Sequence, residues 1–324
     1  MNKINFISTN EQFPTLTDIK AAADRIEKHI HRTPVLRNTA IDEMIGARVF
    51  FKCENFQKVG AFKARGAINT VLSLKDEEAA NGVATHSSGN HAAALALAAR
   101  IRGIQAYIVM PDNAPQVKKN AVSSYGAEIT YCKATLKARE DTLEELVKKT
   151  GAVFIPPFND HRVITGQATA ALELLEDCNE FDILIVPLGG GGLLSGTALC
   201  AHYISPATSV IGAEPKGADD AYQSLKAGKI IPSESPKTIA DGLLTSLGNL
   251  TFEIIQKHVN EIVLVDDDAI IAATRLIMER MKIVVEPSAA ISLAVAIQKK
   301  SELSDLNVGI ILSGGNIDLD NFPF

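Results

Sequence analysis

Gly189-Gly190-Gly191-Gly192 stands directly after the apolar run Asp182–Leu188 and just before an alanine-rich stretch, Thr197–Tyr203. Successive glycines make poor strand or helix, but they let backbone N–H groups crowd round an anion where a helix begins. Leu188 to Gly196 therefore reads as a phosphate cup. It lacks the Gly-Lys-Ser/Thr ending of a P-loop, and its glycines miss the G-x-G-x-x-G spacing of dinucleotide folds, so the phosphate of some other ligand is expected. Two more small-residue stretches, His86-Ser87-Ser88-Gly89-Asn90-His91 and Ser313-Gly314-Gly315-Asn316, also follow apolar runs. Further on, Glu214 and Asp220 flank Gly217. A turn there could bring both carboxylates and a main-chain carbonyl onto one hard cation, although such a stretch is more often a solvated acidic loop.

The elements that must hold these groups alternate. Apolar runs at Arg48–Lys52, Gly82–His86, Ala106–Met110, Ala127–Tyr131, Val153–Ile155, Asp182–Leu188, Ser209–Ala213, Glu261–Val265 and Asn307–Leu312 read as strands. Helical patterns cover Asn90–Arg102, Pro115–Tyr125, Thr135–Thr150, Gln167–Asp177, Asp267–Met281 and Ser288–Lys299, and Thr17 is placed as the cap of a first helix. The alternation predicts a doubly wound α/β fold of two domains with mainly parallel sheets. Ligands bind at the carboxyl ends of such strands, so the three small-residue loops are expected to line one crevice. The other reading of each loop is a simple turn.

The chain has 324 residues, a net charge of −6 and no basic run, which argues against a nucleic-acid partner. Cys53, Cys132, Cys178 and Cys200 form no C-x-x-C pair, which reads as reduced thiols in a cytoplasmic protein. No apolar stretch reaches membrane-spanning length, and Met1–Thr15 is too polar for a signal peptide.

Phe56-Gln57-Lys58-Val59-Gly60-Ala61-Phe62-Lys63-Ala64-Arg65-Gly66 resembles the cofactor-lysine segment of fold-type II pyridoxal-phosphate enzymes. The serine–asparagine loop, the glycine run and Ser313-Gly314-Gly315-Asn316 match that family's other landmarks in the same order. Within the family the pattern is similar to serine racemases, then to serine/threonine dehydratases and 3-hydroxyaspartate ammonia-lyases. The resemblance implies a large cofactor domain (1–80 plus 155–324) and a small mobile domain (82–154), paired as a homodimer. It implies a Schiff base at Lys63, where shielding by Phe62 favours the neutral amine. Gly189, Gly190, Gly191, Gly192 and Leu193 would hold the cofactor phosphate, Asn90 its 3′-oxygen and Ser313 its pyridine nitrogen, with Phe62 near the ring.

Ser87, Ser88, Gly89, Asn90 and His91 would grip the carboxylate of a small amino-acid substrate, with Arg139 closing onto it. Without the resemblance, Arg139 reads equally as a solvated helix residue. Ser88 stands where many dehydratases carry alanine. It is therefore the expected proton donor opposite Lys63, although it could instead satisfy loop backbone groups. The resemblance also places Mg²⁺ or Ca²⁺, with Mn²⁺ a further candidate, on Glu214, the Ala218 carbonyl and Asp220. Val59-Gly60-Ala61 departs from the Thr-Gly-Ser of animal racemases and argues against ATP activation, although Lys118, Tyr125, Lys282 and Asn316 fit that site's pattern. The expected activity is serine racemisation with β-elimination to pyruvate and ammonia. The alternative is a serine/threonine dehydratase or a threo-3-hydroxyaspartate ammonia-lyase.

Overall fold

The structure, a computed structural model, describes residues 13–321 except 115 and 179. Its strands are β1 (Val35–Leu36), β2 (Arg48–Cys53), β3 (Val83–His86), β4 (Ala106–Pro111), β5 (Glu128–Cys132), β6 (Val153–Phe154), β7 (Ile183–Pro187), β8 (Ser209–Pro215), β9 (Glu261–Val265) and β10 (Asn307–Leu312). They form a six-stranded sheet in the order β1-β2-β10-β7-β8-β9 and a four-stranded sheet in the order β5-β4-β3-β6. Every pairing is parallel except the antiparallel β1–β2 contact.

Parallel strands covered on both faces read as continuous apolar runs, and β7 and β10 follow that rule. Alternate residues serve opposite cores: Ile185, Ile310 and Leu312 face one cluster, and Leu184, Val186 and Ile311 the other. In the smaller sheet Val83, Ile108 and Met110 face one core, while Ala84 and Val109 face a second. Among the described residues no helix is long and apolar enough to cross a membrane.

The helix Lys63–Ser73 runs against the helix His161–Asp177 at close range. A Cβ on Gly166 would lie 2.7 Å from the Arg65 carbonyl oxygen, and one on Gly66 would overlap the Gln167 amide. Beneath its first turn lies a buried ionic knot. Arg65 meets Glu54 and Glu173 at 2.7 Å each, and Lys52 meets Glu173 at 2.6 Å. A fully buried arginine is tolerable only because its N–H fork is met in this way.

Local signals shifted some boundaries. The first helix (Leu16–Ile26) is capped by Thr15, not Thr17. The Thr15 hydroxyl accepts from the Asp18 amide, and the Asp18 carboxylate accepts in return from the Thr15 amide at 2.8 Å. The helix expected from Gln167 starts at His161, because the Asp160 carboxylate accepts the Arg162 and Val163 amides at 2.8 and 3.1 Å. The two-residue β1 was not anticipated. Pro115, the expected start of another helix, lies outside the described residues, as does most of Met1–Thr15.

Candidate active site

The loop after β10 is stitched to the segment that delivers Lys63. The Phe62 amide donates to the Ser313 carbonyl (3.0 Å), Ala61 bridges Gly314, and the Gly315 amide donates to the Gly60 carbonyl (2.9 Å). Ser313 itself is buried. Lys63 opens its helix with a partly buried amine that donates to the Pro157 carbonyl at 2.8 Å. Its Nζ also lies 5.0 Å from the centre of the Phe62 ring. Burial lowers the Lys63 pKa to about 8, against the opposing pull of the Glu286 carboxylate.

Asn90, at the start of the helix Asn90–Arg102, is held from both sides. Its Nδ2 donates to Glu286 at 3.0 and 3.2 Å, while its Oδ1 accepts from Asn316 at 2.9 Å. Burial pushes Glu286 up to about 7. The sequence reading missed Glu286, a lone acid within the apolar stretch Ile283–Ala290; that oddity was the available signal.

His91 is buried beneath the same loop, its Nε2 3.1 Å from the Ile155 carbonyl, which fixes the hydrogen on that nitrogen. Burial and the nearby Lys63 ammonium push His91 down to about 3, so it is neutral. The buried ring supports the loop, and the His91 backbone amide at the helix start has no backbone partner among the described residues. The Ser87 amide donates to the Val109 carbonyl (3.1 Å), and the Ser87 hydroxyl accepts from the Gly89 amide (3.3 Å). No hydrogen bond engages the Ser88 hydroxyl among the described residues. Arg139, on the helix Leu136–Thr150, keeps a buried Nε without a partner. Burial, and after it the Arg139 charge, depresses the pKa of His86 at the end of β3.

The glycine run turns from β7 into the helix Gly192–Ile204. Gly191 takes φ +86°, which glycine alone adopts at no cost. The first helix amide with a backbone partner is Ser195, donating to Gly191 at 2.8 Å, so the amides before it are available to an anion. A lysine that sheds its proton easily, an amide-lined cup and a fixed asparagine together suit one kind of ligand. That ligand carries an electrophilic carbonyl and a phosphate.

The possible cation site is separate. Glu214 lies buried near the end of β8, and its carboxylate accepts the Ala221 and Tyr222 amides at 2.8 and 2.9 Å. Asp220 opens the helix Asp220–Ala227, and its buried Oδ2 has no partner. Burial pushes these carboxyls up to about 8 and about 6. Ala218 is buried in the turn between them. An orphaned carboxylate oxygen beside a second buried acid fits a hard cation completed by carbonyl and water. Among the described residues no group of three or more His, Cys, Asp or Glu gathers at one point.

Comparison with known proteins bears on this geometry. Residues 26–314 match the family model described as "Pyridoxal-phosphate dependent enzyme". The chain is 50% identical to a serine racemase of Dictyostelium discoideum, covering 95% of this chain and 96% of that protein. It is 49% identical to a beta-hydroxyaspartate dehydratase of Paracoccus denitrificans, covering 96% and 99%. The solved structure of maize serine racemase superposes with a TM-score of 0.93 at 49% identity, covering 95% of each chain.

Proposed function

The chain belongs to the pyridoxal-phosphate dependent enzymes, and from that premise we propose that it is a serine racemase that also eliminates the β-hydroxyl of serine, releasing pyruvate and ammonia. The single observation that carries this reading is the Lys63 amine, of lowered basicity, held on Pro157 within the crevice that the Ser313 and Asn90 loops share. Pyridoxal phosphate supplies the electron-withdrawing ring that makes an amino acid's Cα proton removable. Lys63 would hold its aldehyde, Gly189 to Leu193 its phosphate, Asn90 its 3′-oxygen and Ser313 its ring nitrogen. The Glu286 and Asn316 contacts fix the orientation of the Asn90 amide.

Freed from the cofactor, the Lys63 amine takes the Cα proton of the L-isomer on one face. The Ser88 hydroxyl, which no loop group engages, returns a proton on the other. The amides of Ser88, Asn90 and His91, at a helix start and without a loop partner among the described residues, would orient the substrate carboxylate with Arg139. Residues 82–154 would form the mobile unit that closes on it. Glu214, the Ala218 carbonyl and Asp220 would hold Mg²⁺ or Ca²⁺ far from the chemistry, stabilising the folded state by mass action. A cytoplasmic homodimer completes the reading.

Elimination from a 3-hydroxyaspartate is the second reading, supported by the Paracoccus relative. A panel of L-serine, D-serine, L-threonine and threo-3-hydroxyaspartate, scored for keto-acid release and inversion, separates the two. Inversion of serine is the expected result, and release from hydroxyaspartate without any inversion would select the second reading. Borohydride reduction followed by peptide mass spectrometry should find the cofactor on Lys63; label on another lysine refutes the assignment.

A further inference from the structure

We propose that Phe158 is the positioning residue of the glycine turn: with Asn159 it clamps Gly189–Leu193 into the convergent shape that holds a phosphate, and through Pro157 it ties that turn to the Lys63 amine. This rests on the cofactor reading above. Backbone conformation does not explain most of the glycines, since within the turn only Gly191 has a positive φ. Side-chain space does. A Cβ on Gly190 would overlap the Phe158 ring, and one on Gly192 would lie 2.9 Å from the Phe158 Cβ. Phe158 thus lies on bare backbone, its ring over Gly190 and its Cβ and main chain over Gly192.

The opposite wall is bound to the same dipeptide. A Cβ on Gly191 would meet Ile255, Leu247 and Thr251 at 2.8 to 2.9 Å. Thr251 and Ile255 sit on the helix Asn249–His258, whose first amides, Leu250 and Thr251, donate to the Asn159 carboxamide oxygen at 3.1 and 3.4 Å. Asn159 therefore fixes the back wall while Phe158 forms the front. One residue earlier, the Pro157 carbonyl accepts from the Lys63 amine. Three consecutive residues thus set the spacing between the covalent and the anionic ends of one ligand. A wrong spacing would waste binding at one of them.

The test uses full-length apoprotein titrated with pyridoxal phosphate and, in parallel, with pyridoxal, which lacks the phosphate. Phe158→Ala should raise the Kd for pyridoxal phosphate roughly tenfold, as for one misaligned charge-assisted hydrogen bond, and leave that for pyridoxal within about twofold. Gly190→Ala should weaken pyridoxal phosphate at least as much in the wild-type background but less than about threefold when added to Phe158→Ala, because the two groups compete for one space. Phe158→Leu keeps bulk without the flat face and gives an intermediate loss if the alanine variant does not fold. Equal loss for both ligands, unchanged affinity, or additive Gly190 and Phe158 effects would overturn the clamp while wild type still binds. Wild-type apoprotein that takes up no pyridoxal phosphate would instead overturn the parent reading.

Discussion

Two helix starts face the crevice, and they are built in opposite ways. At the glycine turn, a side chain on Gly190, Gly191 or Gly192 would strike Phe158, Leu247, Thr251 or Ile255. At the serine–asparagine loop, a Cβ on Gly89 would meet nothing within 4 Å. Both offer free amides to an anion. One is packed on each side before any ligand arrives; the other is tied by polar contacts at Ser87, Asn90 and His91, with open space around Gly89. The packed turn suits a resident phosphate, whose binding costs little reorganisation. The open loop suits a substrate that must enter and leave on every turnover.

The sharpest break of that contrast is at the residue between the two. Lys63→Ala should abolish the yellow bound form and reduce turnover by about 10³-fold or more, measured by absorbance and keto-acid release. Next, Ser88→Ala should cut serine inversion by about 10²-fold or more while elimination stays within about twofold; equal loss of both would remove Ser88 from the proton-donor role. The loop itself is softer. Gly89→Ala should raise KM for serine about threefold and leave cofactor affinity unchanged, the reverse of the pattern predicted for Gly190→Ala.

pH gives a smaller effect. The neutral Lys63 amine is the reactive form, so cofactor uptake by apoprotein should slow as pH falls through about 8. The folded pKa lies below the unfolded 10.5, so the unfolded chain holds the extra proton between these values. Apoprotein stability should therefore rise across that window, and Lys63→Met should remove the rise. Smallest of all, a chelator should lower the melting temperature of wild type by a few degrees and that of Glu214→Gln hardly at all.

Much of this site was legible because its parts are local. β7, β10 and β3 announce themselves as apolar runs, and each ends in a loop too rich in small residues to continue a strand. What stayed hidden was long-range. Glu286 reaches Asn90 across 196 residues, and Asn159 caps a helix 91 residues away, so no spacing rule could join them. The helix start at His161 was lost for a different reason: its first two residues are polar, and the Asp160 cap marks it. Arg139 shows the limit of pattern reading, since beside Glu140 and Asp141 it looks solvated, yet its Nε is buried.

The knot of Lys52, Arg65, Glu54 and Glu173 carries one more consequence. Two positive and two negative groups are matched there in a buried site, and the partly exposed Asp177 lies 4.0 Å from Lys52. Losing any one strands an uncompensated ion under the first turn of the Lys63 helix, at a cost of about 3–5 kcal/mol, whereas replacing all four by well-packed apolar residues could be nearly neutral. The four are therefore expected to change together or not at all, since each single exchange passes through a chain weakened by about 3–5 kcal/mol.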